Sequence, residues 1–140
     1  AKPSLERYVE AQEECWHEVR DELVQGKKRG HWMWFIFPQL KGHGYSTLSE
    51  YYGINNVEEA RAYLDHVVLG PRLTDACSML LQHEGLSAHA IFGITDAMKL
   101  RSCMALFHQA TLKENSVFSE VTGKFFGGKP DPVTLQMLQG

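Results

Sequence analysis

The chain has little of what marks most specialised protein classes. In 140 residues there are three cysteines, Cys15, Cys77 and Cys103, widely spaced and with no C-x-x-C pair. Their odd number and spacing exclude a disulfide framework, and they read as reduced thiols of a cytoplasmic protein, packed as small hydrophobes. No stretch approaches the ~20 apolar residues that a bilayer span needs. Charged residues appear at once at the start, where a secretory signal would place its apolar run. Positive charge is not in surplus: the formal net charge is −3 and the pI about 6.2. That argues against general nucleic-acid binding, although one local basic patch is still allowed. Runs rich in Val or Thr, which would pair as strands, are missing. So are a glycine-rich phosphate loop, a G-x-S-x-G elbow and H-E-x-x-H. Seven histidines (His17, His31, His43, His66, His83, His89 and His108) include no pair four residues apart. No metal site and no cofactor are expected from them.

What is present is helical period and ordinary globular composition, 44% hydrophobic and 22% charged, in a length that suits one domain. Leu5, Tyr8, Val9, Gln12, Trp16, Val19 and Leu23 fall at steps of three and four, with Ser4 placed as N-cap and Gly26 as stop. This predicts a helix over about 5–25. Gly42-His43-Gly44 reads as a loop, and Ser46 or Thr47 caps a brief helix that ends at Gly53. Asn56 with Glu59 at the third helical position is a capping pattern. Pro71 is expected at the first position of a new helix with Leu73, Ala76, Cys77, Leu80 and Leu81 as its stripe. Ser87 caps a turn that Gly93 stops, and Thr95 or Asp96 opens a long helix to about Thr111. Asn115 starts another, carrying Phe118, Val121 and Phe125 and closed by Gly127-Gly128. Asp131-Pro132 opens a last one with Leu135 and Leu138. The expected fold is all-α: a compact single-domain bundle, residues 1–140, of about eight short to medium helices.

The densest stretch is His31-Trp32-Met33-Trp34-Phe35-Ile36-Phe37-Pro38-Gln39-Leu40. It has six consecutive bulky apolar residues, four of them aromatic, between two polar ends. Such a run must be buried or serve as a binding surface. Periodicity is silent where every position is apolar. With no strand partner in sight, a short helix ending before Pro38 is favoured. Lys27-Lys28-Arg29 precedes it, either as a solvated turn or as cations beside aromatics, able to hold a phosphate and stack a ring.

Lys99 and Arg101 are the only charges in Ala97–Phe107, which is otherwise apolar or small. A helix apolar nearly all round is central to a fold, and charges on it need partners. Those partners are either acidic side chains or an anionic ligand.

The segments from Lys28 to Leu40, Ala60 to Leu64 with Leu69 to Leu73, Lys99 to Phe107, and Phe125 to Gly128 resemble the domain-of-unknown-function family 1810. The resemblance covers almost the whole chain and implies a compact, all-helical, single-domain bacterial protein; it supplies no activity. The family pattern has Ser-Ser where this chain has Ser102-Cys103, which removes support for a role of the second position. Some members are labelled calpastatin. That label does not suit this chain, because such inhibitors are disordered and this one has a full aromatic core.

Two functional expectations follow. In the first, a small anionic, nucleotide-like molecule sits between the His31–Gln39 segment and the Lys99/Arg101 helix. Gln39, Lys99, Arg101 and Ser102 bind it, Trp32 or Trp34 forms an aromatic wall, and His31 is the natural general acid–base group for any turnover. In the second, there is no small-molecule site, and Tyr45, Tyr51 and Tyr52 offer a surface to a protein partner. The oligomeric state has no sequence signal.

Overall fold

The computed structural model describes residues 4–139, which form eight helices and no strand. They are α1 (Glu6–Gln25), α2 (Met33–Ile36), α3 (Thr47–Tyr51), α4 (Val57–Asp65), α5 (Leu69–Leu81), α6 (Ala88–Thr111), α7 (Val117–Phe126) and α8 (Pro132–Gln139). The all-α expectation holds. None of the helices is long and apolar enough to cross a membrane.

Local chemistry accounts for most boundaries. The side chains of Ser46, Asn56, Ser87 and Ser116 each accept a hydrogen bond from a first-turn backbone N–H, as good N-caps do. Gly26 ends α1 in the left-handed conformation, φ 79°. Three expected boundaries and one expected capping contact shift. Leu5 stands at the cap of α1, while Ser4 Oγ still accepts the Glu6 N–H. Ser116, not Asn115, caps α7, and Ser119 completes the reciprocal box. Glu59 turns away from such a box and accepts from the Asn55 N–H and amide instead. Pro71 does not open α5. The helix already begins at Leu69, because Gly70 lets the chain press against α4: a Cβ there would lie 2.1 Å from the Leu64 carbonyl oxygen. In α8 the buried side chain is Thr134, while Leu135 and Leu138 are only half-buried.

One core joins the elements. Helix α6 runs through it, burying Ala97, Leu100, Cys103, Met104, Leu106, Phe107 and Ala110 against α4, α7 and α8. Gly93 breaks this helix after its first turn (φ 82°, ψ 170°), as its sequence position suggested. Helix α1 packs on α5 and α2. The aromatic plug enters the core through Trp32, Met33, Ile36 and Phe37, all at 2% exposure or less.

Two polar devices hold the loop that follows. Lys41 N–H donates to Ile54 O at 2.7 Å and Ile54 N–H donates to Gln39 O at 2.8 Å, closing residues 41–53 into a loop. From beneath, the buried Arg7 donates to the carbonyls of Tyr51 (2.8 Å) and Gly53 (3.1 Å), and Tyr8 Oη donates to Tyr52 O (2.6 Å). The C-terminal carbonyls of α3 are thus satisfied by α1. The loop carrying His43 to Ser49 is held across one side of α6.

Candidate functional site

In the basic run before the plug, the Lys28 side chain and the Arg29 backbone are absorbed by the fold, while Lys27 is exposed. Lys28 Nζ lies 2.8 Å from Asp96 Oδ2 and 5.2 Å from the Trp32 ring centroid. Glu22 Oε1 accepts from Arg29 N–H (2.7 Å), Gly30 N–H (2.9 Å) and the Trp32 indole N–H (2.9 Å). The donors that would cradle a phosphate here already hold a carboxylate of the chain itself. His31 is exposed and lines a cleft of about 540 Å³ that also takes in Glu10, Glu14, Glu18 and Glu22, spaced along one face of α1. An acidic wall repels anions. His31 is therefore not placed to serve an anionic ligand.

The other expected polar residues do come together. Gln39, Lys99, Arg101 and Ser102 line one pocket of about 350 Å³ between the 39–49 loop and α6. His43 and Asp131 join them from two loops, and the hydroxyls of Ser46, Ser49 and Thr95 complete the polar lining. Tyr45 stands at the rim, 98% exposed. Tyr51 and Tyr52 face the acidic cleft instead, so the three tyrosines do not share one depression.

Lys99 Nζ is 4.9 Å from the Trp34 ring centroid and 3.4 Å from Asp96 Oδ1. Asp96 serves Lys28 as well, at shorter range, so one carboxylate is divided between two ammonium groups. Trp34 supports Lys99 through the face of its ring and shares a small crevice with it and Gln39, rather than forming a wall of the larger pocket. Trp32 lies in the core and lines the acidic cleft. Arg101 donates from Nε to Lys129 O (2.8 Å) and from Nη2 to Pro130 O (3.3 Å). It thereby clamps the loop that presents Asp131 while still lining the pocket.

Asp131 is the hub of the site. Its Oδ2 accepts from Thr134 N–H (3.0 Å), Thr134 Oγ1 (2.6 Å), Ser102 Oγ (3.1 Å) and His43 Nε2 (2.8 Å). Burial pushes its carboxyl pKa up, but hydrogen bonds from Thr134, His43 and Ser102 outweigh that and leave it below the usual range. A carboxylate only accepts, so His43 Nε2 carries a hydrogen.

Ser, His and Asp in mutual contact suggest a hydrolytic triad, but the wiring is different. In a triad the acid and the serine use opposite ring nitrogens. Here Ser102 Oγ, 3.1 Å from His43, meets the same Nε2 that the aspartate holds, and it also lies 3.1 Å from the helical carbonyl of Met98. Ser102 is 2% exposed. It is a bonded structural hydroxyl, not an activated nucleophile. What the pocket offers is two cations, an oriented imidazole, one carboxylate and several hydroxyls. Among the described residues, no group of three or more His, Cys, Asp or Glu side chains is placed to hold a metal ion.

The chain belongs to the family described as proteins of unknown function, DUF1810, whose model matches residues 2–138. It is similar to a solved structure, that of the conserved hypothetical protein Rv1873 from Mycobacterium tuberculosis. The two share 46% identity over 97% of this chain and 96% of that one, with a TM-score of 0.94. No curated protein matches the chain.

Proposed function

We propose that this family member binds a small anionic, nucleotide-like molecule in the pocket between the 39–49 loop and α6. One observation carries the reading: Lys99 and Arg101, the isolated cations of the central helix, open into a single cavity with Gln39 and Ser102. Its volume of about 350 Å³ falls in the range of small-molecule sites. Among the described residues Lys99 has only a shared carboxylate to balance it, which leaves positive charge for a ligand. Tyr45 at the rim and Met98 in the wall supply apolar surface for a planar ring. If the bound molecule is turned over, proton transfer falls to His43 rather than to His31.

Thermal melts with inorganic phosphate, AMP and ribose 5-phosphate test this, because a ligand that binds only the folded state raises its stability. A rise in melting temperature is expected for the wild type, and its loss for Lys99→Met with little change in the unliganded melt. Arg101→Met should lose the rise and also lower the unliganded melt, because two loop carbonyls lose their donor. His31→Ala should keep the full ligand effect. No rise with any of the three, or an equal rise in Lys99→Met, would sink the reading.

A further inference from the structure

Resting on that reading, we infer that the ligand is a phosphate monoester on a hydroxyl-bearing skeleton, with Lys99 and Arg101 taking the phosphate and Asp131 reading a hydroxyl. The two oxygens of Asp131 are used unequally. All four of its hydrogen bonds end on Oδ2. Among the described residues Oδ1 accepts none, although the side chain is only 14% exposed and lines the pocket. A carboxylate has about four acceptor positions. Oδ1 is not a buried orphan, so solvent reaches it, and a molecule filling the cavity beside Asp131 can donate to it in place of water.

The pocket therefore carries both signs. A plain anion would be drawn to Lys99 and repelled by Asp131 across the same small space. A neutral polyol would satisfy Asp131 and leave the cations unmatched. A molecule with a phosphate at one end and hydroxyls beside it meets both demands. A phosphate dianion also matches two cations, where a carboxylate matches one. The hydroxyls of Ser46, Ser49 and Thr95 can donate to or accept from the same skeleton. A free sugar phosphate and the ribose phosphate of a nucleotide share this chemistry.

Titration calorimetry with butyl phosphate, ribose 5-phosphate, AMP and ribose on the wild type decides it. Ribose 5-phosphate should bind at least about tenfold more tightly than butyl phosphate, since hydrogen bonds to a charged acceptor are the strong ones. AMP equal to or tighter than ribose 5-phosphate points to a nucleotide; weaker AMP points to the free sugar phosphate; both support the inference. Ribose alone should not bind. Asp131→Asn should change the two phosphates in opposite directions. Butyl phosphate gains because a repelling charge is gone, and ribose 5-phosphate weakens, so the ratio falls to within about threefold. A mere packing defect would weaken both alike. Butyl phosphate as tight as ribose 5-phosphate in the wild type overturns the inference and leaves anion binding standing. Failure of every phosphate to bind overturns both. The wild-type comparison decides the matter even if Asp131→Asn does not fold.

Discussion

Glu22 shows how one side chain can pre-empt a binding site. The turn at Arg29-Gly30 points two backbone N–H groups and an indole N–H at one place, and Glu22 fills it. Burial pushes its carboxyl pKa up, but the Arg29, Gly30 and Trp32 donors, helped by Lys28, outweigh that and hold it below the usual range. The folded-state pKa is thus depressed. The stability this group contributes is full above the ordinary carboxylate range and is lost as pH falls through the depressed value. Asp131 has the same sign for the same reason. Glu22→Gln should cost about 1 kcal/mol at pH 7, at the low end for charged hydrogen bonds because water still reaches and screens this partly buried group. The deficit should shrink as pH is lowered below 4, where the wild type loses the same charge. Urea melts of both proteins at pH 7 and pH 3.5 measure it, and an unchanged gap would count against this role for the carboxylate.

Among the elements, α6 and α7 each contain a glycine with open space where a Cβ would go, and the two should respond oppositely to alanine. Gly93 has φ 82° and ψ 170°, a region essentially closed to other residues, and it turns the chain between the Ser87-capped turn and the long central run. Gly93→Ala should cost about 1–3 kcal/mol with no steric clash involved. Gly123 lies inside α7 with no positive φ, so Gly123→Ala should stabilise by about 0.5–1 kcal/mol through a less flexible unfolded chain. Denaturant melts give both signs, and destabilisation by Gly123→Ala would show that α7 is not the relaxed helix described. Helix ends at this scale were legible where a cap acts within three or four residues: Ser46, Asn56, Ser87 and Asp131 all cap as the sequence suggested. The start of α5 was not, because Leu69 and Gly70 are helical owing to contact with α4, a tertiary fact that overrides the usual preference of Pro71 for the first position.

Across the whole molecule, the lining of the candidate pocket was half legible for a physical reason. Gln39, Lys99, Arg101 and Ser102 stood out as polar groups in apolar surroundings, and that contrast is local. His43 and Asp131 sit in polar loops where nothing local marks them, and the contact between them spans 88 positions of sequence. Asp131 was also fully accounted for as a helix cap, which it is, so its contacts with His43 and Ser102 left no unexplained residue. His31 misled because the plug is one turn of helix entering the core, which leaves its two polar ends in different clefts. The core itself is a single unit, and its cysteines can report on it. Cys77 on α5 and Cys103 on α6 are both unexposed, and burial raises both thiol pKa values far above the ordinary range. Cys15 on α1 is half-buried; its pKa is raised by burial and then by the nearby Glu18, Glu14 and Glu22 charges. All three are free, so alkylation after unfolding without reductant should modify three thiols. In the native protein Cys15 should react first, and faster as pH rises. Cys77 and Cys103 should react much later and at one common rate, because only opening of the shared core exposes either. Time-resolved mass spectrometry at low denaturant separates the cases. A Cys77 rate well ahead of Cys103 would mean that α5 opens without α6, and the core would then be two cooperative units rather than one.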